Sequence, residues 1–249
     1  MVARVATRPQ PERPPSQFAF ELGHLPSHAE DDFLVGDGNR LAHAHILSFP
    51  AWSGPLTLIH GPASAGKSHL ARIWADRAGA QTPVPKAIED LARTGGVAPL
   101  VIEDIDRAGY DEAALFHLLN QSMRDGRALL LTARAPISAW PYQTDDLRSR
   151  ARLASAFSVA LSSDIQLSQM LAKLFGDRQV WVEPKVITYL AARMERSPEE
   201  AVTLADLMDR LALARGTAIT RAIAAEALAQ RGARRDDGQL ELDLESDDE

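Results

Sequence analysis

Gly61-Pro62-Ala63-Ser64-Ala65-Gly66-Lys67-Ser68 decides how this chain is read. The octapeptide matches Gly-x-x-x-x-Gly-Lys-(Ser/Thr), a loop that wraps phosphate when it joins a strand to a helix. Both flanks fit. Leu56-Thr57-Leu58-Ile59-His60 is a short apolar run bounded by Gly54-Pro55 and Gly61-Pro62, so it reads as a buried strand. Ser68 to Ala78 places Leu70, Ile73, Trp74 and Ala78 at helical spacing. In such a loop the glycines let successive backbone N–H groups turn inward around phosphate oxygens. The following helix contributes its positive dipole end. Lys67 is placed to reach the β- and γ-phosphates, and the Ser68 hydroxyl to ligate Mg2+. Lys67 also stands out by scarcity, because the other lysines are only Lys86, Lys173 and Lys185.

Outward from the loop, strands and helices alternate. Leu100-Val101-Ile102 reads as a second buried strand, ending in Glu103-Asp104. Asp111 to Arg124 reads as an amphipathic helix with Leu115, Leu118 and Leu119 on one face. Ala128 to Thr132 and Ser158 to Leu161 read as the third and fourth strands. This alternation predicts an α/β fold, a parallel sheet covered on both faces. The stretch from Gln81 to Pro99 is irregular, with a weak helix at Ile88–Arg93, so one strand of the base is expected to be reduced there. After about residue 163 the strand signals stop. Asp164–Phe175, Pro184–Glu195, Pro198–Ala214 and Thr220–Ala229 read as four helices, with Asp164 and Thr220 as N-caps and the prolines in first turns.

The 249 residues carry a net charge of −7 and no cysteine. That excludes a disulfide framework, a thiolate metal site and a cysteine nucleophile. No apolar run approaches the roughly 20 residues of a membrane span, and the N-terminus has no signal-peptide core. Residues 231–249 hold three Arg against eight Asp and Glu, whereas residues 1–16 hold three Arg against one Glu. Nothing matches the basic footprint of a dedicated DNA-binding domain. Both ends lack hydrophobic periodicity and are expected to be disordered. His43, His45, His60 and His69 share no ligand spacing and read as packing or surface residues. The expected organisation is a flexible segment 1–27, an α/β nucleotide-binding domain 28–162, a helical domain 163–230 and an acidic tail 231–249.

Four segments carry a family resemblance. Phe33-Leu34-Val35-Gly36-Asp37-Gly38-Asn39-Arg40-Leu41-Ala42 resembles the segment before the phosphate-loop strand of the bacterial replication initiator DnaA. Gly61 to Leu70 resembles its Walker A region, Val101 to Asp106 its Walker B, and Asp145-Asp146-Leu147-Arg148-Ser149-Arg150 its arginine-finger box. The resemblance covers about residues 17–230, without the initiator's DNA-binding and helicase-interacting domains. The chain is thus similar to the Hda/HdaA family, DnaA-related AAA+ proteins that inactivate DnaA after initiation.

The resemblance implies an AAA+ P-loop base with a small all-α lid, holding ADP or ATP with Mg2+. It makes Gly61 to Ser68 and the sensor I position Thr132 nucleotide-binding, and Ser68, Glu103 and Asp104 metal-linked, with Asp104 polarising water. Glu103 stands where the family carries Asp. It makes Arg150 an arginine finger presented in trans to the ATP of DnaA, with Arg148 and Arg152 as neighbouring cations. The lid arginine of sensor II falls on Glu200, so no sensor II residue is carried over, Arg193 and Arg196 being possible substitutes. Gln17-Phe18-Ala19-Phe20-Glu21-Leu22 stands where the family has a Gln-Leu-x-Leu-x-Leu peptide for the sliding clamp, the beta subunit of DNA polymerase III. Gln17, Phe18, Phe20 and Leu22 are the candidate clamp contacts, and Gln239 to Leu244 is a second candidate peptide. The expected protein is a cytoplasmic negative regulator of initiation, with a homodimer left open, no sequence-specific DNA binding and little ATP turnover of its own. The alternative is a self-sufficient AAA+ ATPase of clamp-loader or helicase-loader type. A DNA-binding initiator fragment is disfavoured by the acidic balance and the missing helix-turn-helix.

Overall fold

The computed structural model describes residues 29–160 and 163–232. Four strands, β1 (Leu56–His60), β2 (Leu100–Ile102), β3 (Leu129–Ala133) and β4 (Ser155–Ser158), form one parallel sheet in the order β2-β3-β1-β4. Nine α-helices accompany them among the described residues: α1 (Arg40–Leu47), α2 (Lys67–Ala78), α3 (Ile88–Thr94), α4 (Glu112–Asp125), α5 (Asp145–Ala151), α6 (Asp164–Asp177), α7 (Pro184–Ala191), α8 (Pro198–Arg215) and α9 (221–232).

Strand alternation sorts the core into two layers. Leu56, Leu58, Leu100, Ile102, Leu129 and Leu131 pack on one face against Leu115, Leu118 and Leu119 of α4, Ile88 of α3 and Leu147 of α5. Ile59, Val101 and Leu130 pack on the other against Leu70, Ile73 and Trp74 of α2 and Ile46 of α1. Beside Ile46, the Trp52 and Trp74 rings stack with centroids 5.0 Å apart and 11° between planes. A separate core holds α6 to α9 together through Leu171, Phe175, Leu190, Leu204, Met208 and Ala227. Among the described residues, no helix is long and apolar enough to cross a membrane.

The caps follow from local chemistry. Asp111 accepts the Ala114 amide at 2.7 Å and starts α4, and Thr220 accepts the Ile223 amide at 3.5 Å and starts α9. For α6 the cap is Ser163, whose hydroxyl accepts the Gln166 amide at 3.2 Å, and Asp164 lies one residue inside as a first-turn acid. Helix α7 ends at Ala191, not at Glu195.

The expected fourth strand is displaced. Its ladder runs over Ser155–Ser158, with Thr57 facing Ser155 and His60 facing Ser158, and the buried Val159 lies past its end. β4 is an edge strand with only half-buried alternation, so its apolar signal is weak. The reduced strand is as expected: Gln81 makes one isolated bridge to Leu100.

The carboxyl end of β1 is the crevice position of an open α/β sheet. Gly61 leaves it between the ends of β3 and β4, its amide donating to Ala133 O at 3.2 Å. Its φ is +153°, and a Cβ there would sit 2.0 Å from the Val159 carbonyl oxygen. Because that neighbour is backbone, relief requires moving the chain just past β4. Gly61→Ala is expected to destabilise the fold by ~2–4 kcal/mol, measurable as a lowered urea midpoint.

Candidate functional site

The Gly61–Ser68 loop joins β1 directly to α2 and opens into a cavity of about 470 Å3 between the sheet and the helical unit. Ala63 to His69, Asp104 and Arg134 line it from the base, and Met170, Lys173, Leu174, Asp177, Arg178 and Val202 from the helices. Phe33, Leu34 and Asn39 close one side. The buried Asn39 builds that wall: its Oδ1 accepts the Gly36 amide and its Nδ2 donates to Leu34 O, both at 2.8 Å. Phe33 stacks on His43 at 5.3 Å, and burial lowers the His43 pKa. The sheet side and the helical unit meet tightly here. A Cβ on Gly36 would fall 1.6 Å from the Gln166 side-chain amide, so any larger residue there must displace that side chain beneath α6.

Lys67 is buried, and its ammonium donates to Gly61 O at 2.8 Å and Pro62 O at 2.7 Å. Burial pushes its pKa below the usual lysine range. Asp104 opposes that shift, Arg134 adds to it, and Asp106 and Glu103 oppose it. The Ser68 hydroxyl donates to Glu103 Oε2 at 2.7 Å. The structure thus brings the loop serine to the strand-end carboxylate, although Glu103 lines a neighbouring recess with Arg72 and Asp76 and not the main cavity. Asp104, in a left-handed conformation at φ 49°, lines the main cavity instead.

Thr132 is fully buried, and its Oγ1 accepts the Asp104 amide at 2.9 Å. It is the penultimate residue of β3, absent from the cavity wall, and it reaches the site only through Asp104. The Tyr110 hydroxyl holds the same turn from below, donating to Glu103 O at 2.7 Å. Burial first, then the Glu103 and Asp104 charges, push its pKa up to about 12.

Residues missed in the sequence complete the frame. Asp106 Oδ2 accepts the amides of Arg134 at 2.9 Å and Ala135 at 2.8 Å, fixing the chain just past β3. Glu112 accepts the Thr144 amide at 2.8 Å, the Gln143 amide at 3.0 Å and the Thr144 hydroxyl. That pins the N-terminus of α5, and the Thr144 bond is the main cause of the lowered Glu112 pKa. Both signals existed as acids beside motifs, but neither has a spacing that separates it from an ordinary surface carboxylate.

Helix α5 presents the arginine-finger box. Arg148 is anchored by Asp145 at 3.0 Å and donates to Tyr142 O, while the Tyr142 hydroxyl donates to Ile105 O beside the strand-end acids. Arg150, the penultimate residue of α5, is exposed, and no acceptor among the described residues engages its side chain.

The structure leaves the lid position without a cation. Glu200 is buried and paired with Arg231 at 2.8 and 3.1 Å, away from the cavity. Arg193 lies over the Tyr189 ring at 4.2 Å, and Arg196 pairs with Asp164 at 3.0 Å. Neither lines the cavity, so neither substitutes for the missing arginine in this arrangement. Gln17, Phe18, Phe20, Leu22 and the second peptide lie outside the described residues.

No family model matches the chain. It is 28% identical to the chromosomal replication initiator protein DnaA of Thermomicrobium roseum over 258 aligned positions, covering 90% of this chain and 54% of that protein. The chain is homologous to DnaA. It spans about half the length of the curated relatives it matches. Domain III of Thermotoga maritima DnaA superposes with a TM-score of 0.68 at 15% identity, covering 83% of this chain and 97% of that one. AMPPCP-bound DnaA from Aquifex aeolicus superposes with a TM-score of 0.61 at 17% identity, covering 86% of this chain and 71% of that one. The fold is therefore like that of DnaA domain III, a four-stranded parallel sheet flanked by helices.

Proposed function

We propose that this chain is a nucleotide-bound regulator of replication initiation, of the Hda kind, that supplies Arg150 to the ATP of a neighbouring DnaA. The observation that carries the reading is the contrast between two arginine positions. Arg150 is exposed on an anchored helix, with its neighbours Arg148 and Glu112 committed to holding that helix. The lid position holds the buried acid Glu200, which pairs with Arg231 and does not line the cavity. A free cation offered outward, with the helical unit's own cavity cations Lys173 and Arg178 tied to Asp177 and Asp206, suits a protein that completes a partner's site better than one that turns over its own.

In its own cavity, residues Gly61 to Ser68 would take the phosphates, with the loop amides and Lys67 as donors. Bound Mg2+ would neutralise phosphate charge there. Ser68 and Glu103 fit that ion as hard oxygen donors already 2.7 Å apart, leaving its other positions to phosphate and water. Asp104 is the acid facing the cavity, placed to polarise a water. Thr132 orients Asp104 through its backbone amide.

The clamp is the proposed means of reaching DNA, through Gln17, Phe18, Phe20 and Leu22 in extended contact with an apolar groove. Peptides 13–26 and 236–249, tested separately for clamp binding, identify the active segment. The cytoplasm is the proposed location.

The deciding experiment measures phosphate release with DnaA-ATP, this protein, clamp on DNA and nucleotide, each omitted in turn. Stimulation that needs all components is the expected result. Release by this protein with ATP alone, at a rate unaffected by DnaA, would replace the reading with a self-sufficient AAA+ ATPase. The Ser68–Glu103 pair and cavity-facing Asp104 favour that second reading.

A further inference from the structure

Four lysine and arginine side chains line the cavity: Lys67, Arg134, Lys173 and Arg178. Three are committed. Lys67 caps two carbonyls of its own loop, at 2.8 and 2.7 Å. Lys173 pairs with Asp177 at 2.9 Å, both on α6. Arg178 pairs with Asp206 of α8 and donates to Leu174 O at 2.6 Å. Among the described residues, only the Arg134 guanidinium has neither a carboxylate nor a carbonyl partner.

Its backbone is nevertheless tightly fixed. Arg134 follows the last residue of β3, whose carbonyl accepts the first amide of the phosphate loop at 3.2 Å. Asp106 holds its own amide and the next one at 2.9 and 2.8 Å. The side chain thus starts one residue from the phosphate loop and ends in the same cavity as Lys67. The two positive charges line the same cavity, and Arg134 helps lower the Lys67 pKa. A fixed backbone, an unpaired guanidinium and a like-charged neighbour are the conditions under which an anion is favoured between them.

We propose that Arg134 is the residue that recognises the terminal phosphate of a nucleoside triphosphate, in place of the lid arginine whose position Glu200 occupies. It makes the cavity discriminate triphosphate from diphosphate. The assignment rests on the nucleotide-binding reading of the Gly61–Ser68 loop and adds to it a specificity-determining residue.

The test uses the full chain with Mg2+, displacing a fluorescent ADP analogue with unlabelled ATP or ADP. Four proteins are compared: wild type, Arg134→Ala, Arg134→Lys and Arg178→Ala. Arg134→Ala is expected to lower affinity for ATP about tenfold or more while changing ADP affinity less than about twofold, because one charge-assisted contact is lost from ATP alone. Arg134→Lys should recover part of the ATP preference by restoring charge without the planar fork. Equal losses for ATP and ADP, no loss for either, or a selective ATP loss in Arg178→Ala would overturn the assignment while leaving nucleotide binding intact. Failure of the wild type to bind either nucleotide would overturn the loop reading, and this assignment with it. The Asp106 bonds are to backbone amides and persist in every variant, so folding is checked simply by an unchanged far-ultraviolet spectrum.

Discussion

Arg150→Ala abolishes the stimulation of DnaA-ATP hydrolysis and leaves this chain's fold, nucleotide binding and clamp binding unchanged. That is the expected result if the residue acts in trans. As a terminal phosphoryl group departs, negative charge spreads over its oxygens. A guanidinium brought to it at that moment stabilises the transition state more than the ground state. Arginines supplied across an interface are worth 10³–10⁵ in rate in well-studied systems, so a loss of at least ~10³ is expected wherever stimulation is that large. The structure makes the variant clean. Arg150 is exposed and carries no partner among the described residues, so its removal strips no protein contact. Arg148 is the informative contrast. It is bound to Asp145 and to the Tyr142 carbonyl, and its loss loosens the loop before removing any charge from the partner. The measurement is phosphate release at saturating regulator. Full stimulation by the Ala variant would take Arg150 out of the mechanism.

Lys67→Ala is expected to weaken nucleotide binding about a hundredfold or more. Its ammonium is buried, and buried charge is held only by good partners. Here those partners are the Gly61 and Pro62 carbonyls, and a bound polyphosphate would add anionic ones in a site of reduced dielectric. The readout is thermal. Wild-type chain at a nucleotide concentration of ~100 Kd gains about 2.7 kcal/mol, which raises Tm by about 5–10 °C for a domain of this size. The Ala variant should show little or no rise. An equal rise in both proteins would mean that nucleotide binds without the loop lysine, and would remove Lys67 from the site.

How far the sequence reaches is visible at particular residues. β1, β2 and α4 were legible because each combines a strong apolar period with a turn or cap at its boundary: Gly61-Pro62 after β1, and Asp111 before α4. Ser68 and Glu103 were each named for their motifs, and the bond between them is visible only in the structure. β4 carries a weak signal because three of its four residues are Ser or Ala, and the more apolar Val159 lies beyond its end. Helices α1 and α5 are short, eight and seven residues, and too brief to show a period. The deepest misses are tertiary. That Thr132 spends its hydroxyl on the Asp104 amide, or that Glu200 meets Arg231 thirty-one positions away, depends on packing that no local pattern records. Arg134 shows the same limit from the other side. Nothing in its neighbours marks it until the other cations around the cavity prove to be engaged.

The stacked pair of Trp52 and Trp74 has an optical consequence. Trp74 rides on α2, the helix that begins with Lys67 and Ser68, whereas Trp52 belongs to the segment leading into β1. Two indoles 5.0 Å apart and nearly parallel couple their electronic transitions, and that coupling varies steeply with spacing and tilt. Any small rotation of α2 on filling the phosphate loop is therefore written into the near-ultraviolet circular dichroism of the unlabelled chain. The base carries its own spectroscopic gauge of loop occupancy.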